Sequence, residues 1–343
     1  MHNLIFTEDA AKVAKNIPNV ELLFGKKILI TGGTGMICSA VADVLFYLNS
    51  AKNANIRVVF AGRKKDSVKK RFPQLDWDFV EFDATKPYAQ DLTVDYVIYG
   101  ASNADPSAIS NYPVETIMSN TSGLMDIIKH TDADRFLYIS SSEIYGNSDN
   151  VPYSEEEYGY VDILNMRACY PTSKRLAENL CIAFAQEYNK EFVIVRPGHI
   201  YGPTISDRDS RASAQFSRMA AAGEDIVMKS VGEQLRSYCY VYDCASAILS
   251  VLINGEPQNA YNISNKDSVV TIREMAEALA KAGNCKVIFE EASEAEKKSF
   301  NLMTNSSLRS EKIEALGWKA TYSMNEGARR TIEYLRRFPK KKK

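Results

Sequence analysis

Short segments that are apolar at nearly every position recur along the first part of the chain. They lie at residues 27–30, 56–60, 79–82, 96–99, 136–139 and 192–195. Segments with helical periodicity alternate with them, at residues 7–17, 37–49, 113–130 and 171–188. Strands that are apolar throughout are typical of a parallel sheet covered by helices on both faces. The pattern therefore predicts an α/β fold built on a doubly wound parallel sheet.

The regular alternation ends near residue 197, after which the loops lengthen. A further helix is predicted over residues 271–282, and it opens with a capping box formed by Thr271 and Glu274. We therefore expect a main domain over residues 1–197 and a smaller lobe over residues 198–338. The chain is expected to cross between the two lobes.

Charge and cysteine content exclude several classes of protein. The 343 residues carry 42 basic and 43 acidic side chains, a formal net charge of -1, so no nucleic-acid or membrane partner is expected. No apolar run reaches the roughly 18 residues that a membrane helix needs. The six cysteines are scattered without CxxC spacing and without nearby histidines. We predict no metal site, no disulfide framework and a reducing cytoplasmic location.

A glycine-rich turn, TGGTG at residues 31–35, directly follows the first predicted strand and precedes a helix. Glycines at Gly32, Gly33 and Gly35 allow a tight turn and let a pyrophosphate approach the N-terminus of the helix. This order of strand, turn and helix is typical of a dinucleotide site. Cys38 stands where the fingerprint usually has its last glycine, and we expect this small side chain to preserve the helix–strand packing.

The second strand departs from the dinucleotide pattern because no acidic residue follows it. An Asp or Glu is expected there to bind the ribose, but the chain has Arg63. Arg63 is interpreted either as a ligand of a 2′-phosphate, which would favour NADP, or as a side chain stacked on adenine. A solvated basic turn is the simpler alternative. Asp83, after the third strand, is a second candidate for contact with the adenine.

Polar residues follow the fifth strand, and a tyrosine–lysine pair lies downstream. The run is Ser140, Ser141, Ser142 and Glu143, and turn formation alone would explain the serines. Tyr170 and Lys174 are four residues apart and share one face of a helix. An ammonium group beside a phenol lowers the phenol pKa from ~10 toward neutrality, which would make Tyr170 an acid or base.

Taken in order, these motifs resemble the extended short-chain dehydrogenase/reductase family of nucleotide-sugar epimerases, dehydratases and decarboxylases. The similarity runs from TGGTGM through SSSEIYG, YPTSK and RPGHIYGP to LRSYCYVYD and LGWKATYSMNEG. The resemblance implies a Rossmann domain with a smaller C-terminal α/β lobe for a nucleotide-diphosphate sugar. It also implies NAD as the cofactor, with NADP not excluded. Relatives commonly form homodimers through a four-helix bundle, here including residues 113–130 and 171–188.

The resemblance also assigns roles to individual residues. Ser141 aligns with the catalytic Ser/Thr of the family, which hydrogen-bonds the sugar 4-hydroxyl and the tyrosine, here Tyr170. Glu143 is an acid found in the dehydratases and the UDP-glucuronate decarboxylases, and the decarboxylase motif Ser-Glu-Val-Tyr-Gly resembles residues 142–146. The implied catalytic residues are Ser141, Glu143, Tyr170 and Lys174.

Binding residues follow from the same resemblance. The expected cofactor-binding residues are Gly32, Gly33, Thr34, Gly35, Met36, Ile37, Arg63, Asp83, Ala84, Gly100, Ala101, Ser102, Asn120, Tyr170, Lys174 and Pro197. The expected substrate-binding residues are Ser142, His199, Arg211 and Arg236. A guanidinium group suits a diphosphate because it donates two parallel hydrogen bonds, and Arg236 aligns with such a residue.

The reaction itself stays open among three outcomes after oxidation at C4 of the sugar. A C5 carboxylate would be lost as CO2, a C5 CH2OH group would permit elimination of water, and return of hydride to the other face would give an epimer. A UDP-glucuronate decarboxylase is favoured, with a 4-epimerase or 4,6-dehydratase as the alternative. Residues 291–310 lack the Arg-Lys-Pro-Asp-type sequence typical of decarboxylases. A non-catalytic dinucleotide sensor is the alternative from another class, although it would not need Ser141, Tyr170 and Lys174.

Overall fold

The computed structural model describes residues 4–206, 209–291 and 303–338. The strands of this part of the chain are β1 (Lys27–Thr31), β2 (Arg57–Gly62), β3 (Asp78–Glu81), β4 (Leu92–Thr93), β5 (Tyr96–Tyr99), β6 (Thr131–Asp132), β7 (Arg135–Ile139), β8 (Glu191–Pro197), β9 (His199–Tyr201), β10 (Ile226–Met228), β11 (Leu235–Tyr240), β12 (Asn259–Ile263), β13 (Val269–Thr271), β14 (Val287–Phe289) and β15 (Asn305–Ser306).

The helices are α1 (Leu4–Ala14), α2 (Met36–Lys52), α3 (Lys65–Arg71), α4 (Pro106–Asn111), α5 (Pro113–Asn120), α6 (Ser122–Lys129), α7 (Cys169–Tyr188), α8 (Ala212–Ala222), α9 (Val241–Asn254), α10 (Ile272–Gly283), α11 (Glu311–Glu314) and α12 (Met324–Arg337). Short 3₁₀ helices include Ser142–Tyr145 and Met166–Ala168. None of these helices is long and apolar enough to cross a bilayer.

Seven parallel strands form the central sheet, in the order β3-β2-β1-β5-β7-β8-β12. Val41 of α2 and Leu249 of α9 are buried on one face of this sheet, and Ile127 of α6 and Ala177 of α7 on the other. The doubly wound parallel sheet predicted from the apolar runs is therefore confirmed. The direction of strand succession reverses between β1 and β5, which makes this point the topological switch of the sheet.

One predicted helix, residues 113–130, is wrong as a single element, because the structure divides it into α5 and α6 at Thr121. Side-chain hydroxyls compete with the helical backbone at the break. Thr121 donates to the carbonyl of Ile117 at 2.8 Å, and Ser122 donates to that of Met118 at 3.1 Å. Such bonds to carbonyls four residues earlier bend helices. The capping box predicted for α10 is present, with Glu274 and Thr271 bonded reciprocally.

The last strand of the central sheet, β12, comes from the part of the chain assigned to the smaller lobe. The apolar pattern did not predict it because Asn259 and Asn262 interrupt the strand. Asn262 is nevertheless buried, and its amide donates to the carbonyl of Tyr153 at 3.0 Å. The chain thus returns to the first domain after residue 198, while the boundary at residue 197 stays a prediction.

Small sheets build the remainder of the C-terminal part. Strand β11 lies between β13 and β15 and also pairs with β9, and β10 pairs with β14. Helices α8, α10 and α12 pack on one another beside these strands.

Helix α1 is joined to the C-terminal part by a buried carboxylate, Asp9. Its oxygens accept hydrogen bonds from the hydroxyls of Tyr240 and Tyr322, both at 2.7 Å. Arg330 of α12 donates to the same carboxylate at 2.8 Å. A buried carboxylate without such donors would be strongly unfavourable, so Asp9 fixes the first helix against the last.

Asp9→Asn should therefore destabilise the protein. The amide keeps the size of the side chain but leaves a buried guanidinium and a hydroxyl with a poorer acceptor. We expect the free energy of unfolding, measured with urea, to fall by about 2–4 kcal/mol. Glu8→Gln is the matched control, because Glu8 pairs with the same Arg330 but has an exposed side chain. It should change stability by less than about 1 kcal/mol, and equal losses in both variants would contradict this interpretation.

Candidate active site

Three predicted segments meet where β1, β5 and β7 end. The glycine turn follows β1, residues 100–102 follow β5, and residues 140–142 follow β7. Thr31 joins the first two, because its hydroxyl oxygen accepts the amide hydrogens of Gly100 at 2.9 Å and Ala101 at 3.0 Å. Open α/β sheets bind their ligands at this edge, outside the carboxyl ends of the strands.

The backbone of the glycine turn is packed so closely that side chains are excluded from it. Gly32 has a φ of +68°, and a Cβ added there would lie 2.6 Å from the carbonyl oxygen of Gly100. A Cβ on Gly33 would lie 2.2 Å from the ring of Phe60. Gly35 is the N-cap of α2 and provides no side-chain cap. The first amide groups of α2, those of Met36 and Ile37, are thus available to a phosphate, and Thr34 of the turn lies next to them in the chain.

Cys38 replaces the usual third glycine without disturbing this packing. Its side chain is 3% exposed, and a Cβ on Gly100 would lie 2.3 Å from its sulfur. The cysteine sulfur therefore occupies the space that Gly100 leaves. Burial raises the pKa of Cys38 to about 12, so its thiol is neutral.

Several buried polar atoms in this region lack a hydrogen-bond partner among the described residues, and two of them, Ser102 Oγ and Asn120 Oδ1, belong to expected cofactor-binding residues. The amide of Asn120 donates to Ser173 Oγ at 3.0 Å, and Ser173 donates to the carbonyl of Tyr170 at 3.0 Å. Buried polar groups normally have partners. The two free acceptors therefore fit a polar ligand in the cleft, and these residues are compatible with a dinucleotide.

The residues predicted near the adenine lie at the ends of β2 and β3. Arg63 is exposed, and the Asp83 carboxylate accepts hydrogen bonds from the amide and the hydroxyl of Thr85 at 3.1 and 2.8 Å. Burial acts to raise the pKa of Asp83, but these bonds and the charge of Arg63 lower it overall. Ala84 packs its backbone against Gly123.

Helix α7 presents Tyr170 and Lys174 to the end of β7, and both side chains are buried. The Lys174 ammonium group donates to the carbonyl of Ile139 at 2.7 Å. It lies 4.7 Å from the ring centroid of Tyr138 and 5.8 Å from that of Tyr170. Burial lowers the pKa of Lys174 to about 7.

The prediction that Lys174 lowers the pKa of Tyr170 is wrong for this arrangement. Burial, and then the charge of Glu143, raise the pKa of the Tyr170 phenol well above its usual value. A hydrogen bond with Ser141 and the charges of Arg211 and Arg167 act in the opposite direction but do not outweigh burial. The Lys174 ammonium group points instead to a backbone carbonyl.

Ser141 and Glu143 lie beside Tyr170. The hydroxyl oxygen of Ser141 caps the 3₁₀ helix by accepting the amide hydrogen of Glu143 at 3.2 Å, and Ser142 is buried in its first position. Glu143 forms an ion pair with Arg167 at 3.1 Å. The sequence reasoning missed Arg167 as its partner, although Arg167 stands three residues before Tyr170.

The C-terminal part contributes Arg236 and His199 on one face of its small sheet. His199 is opposite Tyr238 in the β9–β11 pair, and Arg236 precedes Tyr238 by two residues. Arg236 is 3% exposed and donates to the carbonyls of Leu235 at 2.8 Å and Met303 at 2.9 Å. Within the described ranges it has no carboxylate partner, and burial lowers its pKa. A buried guanidinium without a counter-ion fits a bound anion.

His199 is neutral near physiological pH. Burial, then the charges of Arg236 and Arg211, lower its pKa to about 3. Its Nδ1 atom is buried and has no hydrogen-bond partner in the described part of the chain. His199 lies two residues after Pro197, the last residue of β8.

Arg211 is held differently from Arg236. It donates to both carboxylate oxygens of Asp209, at 2.9 and 2.6 Å, and to the carbonyl of Ile200 at 3.3 Å. Its role toward the substrate stays a prediction. No group of three potential metal ligands occurs among the residues that the structure describes.

The chain belongs to the NAD-dependent epimerase/dehydratase family, whose model matches residues 28–264. UDP-glucuronic acid decarboxylase 1 of Xenopus tropicalis is 29% identical over 317 residues, which are 91% of this chain and 72% of that protein. UDP-glucuronic acid decarboxylase 6 of Arabidopsis thaliana is 32% identical over 258 residues, 74% of this chain and 73% of that protein.

A solved structure shows the same fold at lower sequence identity. The UDP-glucose 4-epimerase of Thermotoga maritima, determined with UDP-glucose, has a TM-score of 0.74 at 22% identity. The match covers 91% of this chain and 99% of that one. The predicted enzyme family and its Rossmann fold are thereby confirmed.

Gly35→Asp tests the phosphate site. The φ and ψ of Gly35, -72° and 163°, suit any residue, and a Cβ there would lie 3.1 Å from the carbonyl oxygen of Gly32. Asp is a good N-cap, so the variant should fold after a small local shift. Its carboxylate would repel a pyrophosphate at the helix N-terminus. We expect fluorescence titration to show no NAD binding at concentrations that saturate the wild type. Gly35→Ser, which caps without charge, should retain measurable binding, and normal binding by the aspartate variant would contradict the assignment.

Proposed function

We propose that the protein is a nucleotide-sugar enzyme that oxidises C4 of the sugar with NAD, and that it acts as a UDP-glucuronate decarboxylase. The set of partly buried Ser141 and buried Tyr170 and Lys174 carries this proposal. The set lies at the carboxyl end of β7, next to the switch point between β1 and β5, and Ser102 Oγ and Asn120 Oδ1 have no hydrogen-bond partner among the described residues. The sequence similarity to UDP-glucuronic acid decarboxylases supports the choice of reaction.

NAD would be held at the carboxyl edge of the sheet. The amide groups at the start of α2 suit its pyrophosphate, and Lys174 suits the nicotinamide ribose. When bound, NAD supplies the acceptor for the C4 hydride. We choose NAD over NADP on the basis of the family, although Arg63 lies where a 2′-phosphate would be. A preference for NADP greater than tenfold, about 1.4 kcal/mol, would contradict this choice.

The sugar nucleotide would lie between this edge and the C-terminal part. Arg236 would bind the diphosphate, since its buried guanidinium group has no carboxylate partner in the described residues. Neutral His199 has an Nδ1 atom without a hydrogen-bond partner among the described residues, and the charge of Arg236 acts on its ring. Ser142 and Arg211 are the remaining substrate candidates.

Ser141 and Tyr170 would start the reaction. Ser141 would orient the sugar 4-hydroxyl, and Tyr170 would accept its proton. Because burial raises the pKa of Tyr170, the phenolate must be stabilised by nearby positive charge. The charges of Arg211 and Arg167 act in this direction, and the Lys174 ammonium group lies 5.8 Å from the centroid of the Tyr170 ring. The resulting 4-ketone of a glucuronate is a β-keto acid, which loses CO2 without a further base.

Glu143 would act after oxidation, in the protonation steps that follow loss of CO2. A carboxylate at this position also suits a 4,6-dehydratase. Dehydration is therefore the second candidate for the reaction of this enzyme. Residues 291–310 lack the Arg-Lys-Pro-Asp-type sequence of decarboxylases. Of that segment, residues 292–302 lie outside the described residues.

Tyr170→Phe removes the ionisable oxygen with little change in packing. Cofactor binding should persist, and turnover of UDP-glucuronate should fall by at least the ~10²–10⁴-fold typical of lost acid–base catalysis. Titration with NAD and a discontinuous assay by mass spectrometry measure the two effects. Undiminished turnover would exclude Tyr170 as the base. A wild type that binds NAD but turns over no sugar nucleotide would favour the sensor alternative.

Glu143→Gln should separate oxidation from the later steps. The amide keeps the size of Glu143 but removes its charge and its acid function. After mixing with UDP-glucuronate, the variant should still reduce bound NAD, followed by the absorbance of reduced nicotinamide, yet release little product. Arg167→Gln removes the partner charge and serves as the comparison for simple loss of the ion pair. Full turnover by Glu143→Gln would remove the main support for decarboxylation and favour 4-epimerisation.

We also propose that the protein forms a homodimer through α5 and α7. Apolar side chains stand exposed on these neighbouring helices, with Val114 66%, Ile117 41% and Leu176 49% exposed. Such a patch is unfavourable in water unless another surface covers it. The predicted four-helix bundle would cover it with the same helices of a second copy.

Light scattering at micromolar concentration tests the dimer. The wild type should have twice the mass of the chain, and Ile117→Asp should shift the mass toward the monomer because it buries a charge in the interface. Leu164→Asp is the control, since Leu164 is 93% exposed outside these helices. A monomeric wild type would refute the proposal.

The proposed location is the cytoplasm. The six cysteines are free thiols, which suits a reducing compartment. Cell fractionation followed by immunoblotting of a tagged protein would test this location. The protein should be recovered in the cytoplasmic fraction, and its recovery in another fraction would contradict the proposal.

A further inference from the structure

A buried arginine, Arg196, joins the segments that carry the candidate catalytic residues. It lies on β8, is 2% exposed and has a guanidinium group whose three nitrogens all donate hydrogen bonds. Two of the bonds go to Glu178 of α7, at 3.0 and 2.7 Å. A bidentate pair of this kind fixes both position and orientation. Arg196 is the first residue of the motif RPGHIYGP, but the predicted site assigns no role to Arg196 or to Glu178.

The same guanidinium group also holds the loop after β7. Its Nη1 atom donates to the hydroxyl of Tyr145 at 3.0 Å and to the carbonyl of Glu155 at 2.7 Å. Tyr145 is the last residue of the 3₁₀ helix that follows Ser141 and contains Glu143. The hydroxyl of Tyr145 in turn donates to Asn262 at 2.6 Å.

Glu178 also lies on the face of α7 that carries the candidate catalytic pair. Tyr170, Lys174 and Glu178 are successively four residues apart. Lys174 is packed against Tyr138 of β7. Burial lowers the pKa of Lys174, and the charges of Glu178 and Cys181 of its own helix and of Cys38 of α2 oppose this effect. Among these groups, Glu178 alone is a carboxylate.

We propose that Arg196 is a positioning residue, which holds the Tyr170–Lys174 helix and the Ser141–Glu143 loop in a fixed mutual arrangement, and that its partner Glu178 provides the negative charge on the helix face that carries Lys174. The inference deepens the proposed function, on which it rests. Arg196 acts through Glu178 and Tyr145 and does not itself contact the reacting atoms. Breaking one side of a buried ion pair leaves an uncompensated charge, so the arrangement tolerates few changes.

Glu178→Gln tests the electrostatic half of the proposal. Burial of Lys174 favours the neutral amine, and Glu178 opposes this effect. Loss of the carboxylate should lower the pKa of Lys174. As the pH rises, Lys174 should therefore lose its proton earlier than in the wild type. The alkaline limb of the profile of NAD reduction by UDP-glucuronate should therefore shift to lower pH by on the order of one unit. Lowering the pH should restore the rate, which a purely structural defect would not allow.

Tyr145→Phe tests the positioning half and leaves the ion pair intact. We expect NAD reduction to slow by about tenfold to hundredfold, as for small misplacements in active sites, with unchanged affinity for NAD. Hydrogen exchange of residues 140–145 should become faster. Tyr153→Phe is the matched control, because its ring stacks on that of Tyr145 at 5.0 Å but its hydroxyl donates to the carbonyl of Gly146. Its rate and its exchange at residues 140–145 should match the wild type.

The two variants test the two halves of the inference separately. If Glu178→Gln folds, as judged by circular dichroism, an unshifted alkaline limb overturns the electrostatic half. If it does not fold, Tyr145→Phe decides alone, and wild-type rate together with wild-type exchange overturns the inference. A wild type that reduces no NAD with UDP-glucuronate contradicts the proposed function instead. The exchange experiment then still tests the arrangement, because it needs no turnover.

Discussion

The hydrogen bond from the Lys174 ammonium group to the carbonyl of Ile139, at 2.7 Å, is the constraint on which the arrangement of this site depends. A buried ammonium group requires acceptors, and the end of β7 provides one immediately before the serine run. The bond places α7 against the one strand end that carries Ser141. Tyr170, one helical turn earlier, is thereby brought to the same place.

The remaining parts of the site follow from the parallel sheet. Its carboxyl edge collects the turns after β1, β5 and β7, and Thr31 joins two of them through its hydroxyl. Gly32 and Gly100 allow the backbones to approach, and Cys38 occupies the space at Gly100. The C-terminal part then adds a buried arginine, Arg236, whose charge is balanced by no carboxylate in the described residues. This geometry is compatible with a dinucleotide at the sheet edge and with an anionic ligand at Arg236.

The sequence predicted what depends on local pattern and missed what depends on distant partners. The apolar runs predicted six strands of the central sheet, and Thr271 and Glu274 predicted the start of α10. Strand β12 was missed because its asparagines are satisfied only by tertiary contacts such as that of Asn262 with Tyr153. The pKa of Tyr170 was predicted in the wrong direction because spacing along a helix reveals neither burial nor the direction of the Lys174 ammonium group. The ion pairs Glu143–Arg167 and Glu178–Arg196 join residues 24 and 18 positions apart, which no local pattern relates.

The central claim is that the enzyme oxidises C4 of a nucleotide sugar, and a single turnover with UDP-glucuronate deuterated at C4 tests it most directly. The account predicts that bound NAD is reduced more slowly than with the protiated substrate, because the C4–hydrogen bond breaks in that step. It also predicts, by mass spectrometry, a nucleotide product that has lost CO2. Absence of NAD reduction, or reduction without an isotope effect under conditions where chemistry limits the rate, would contradict the account.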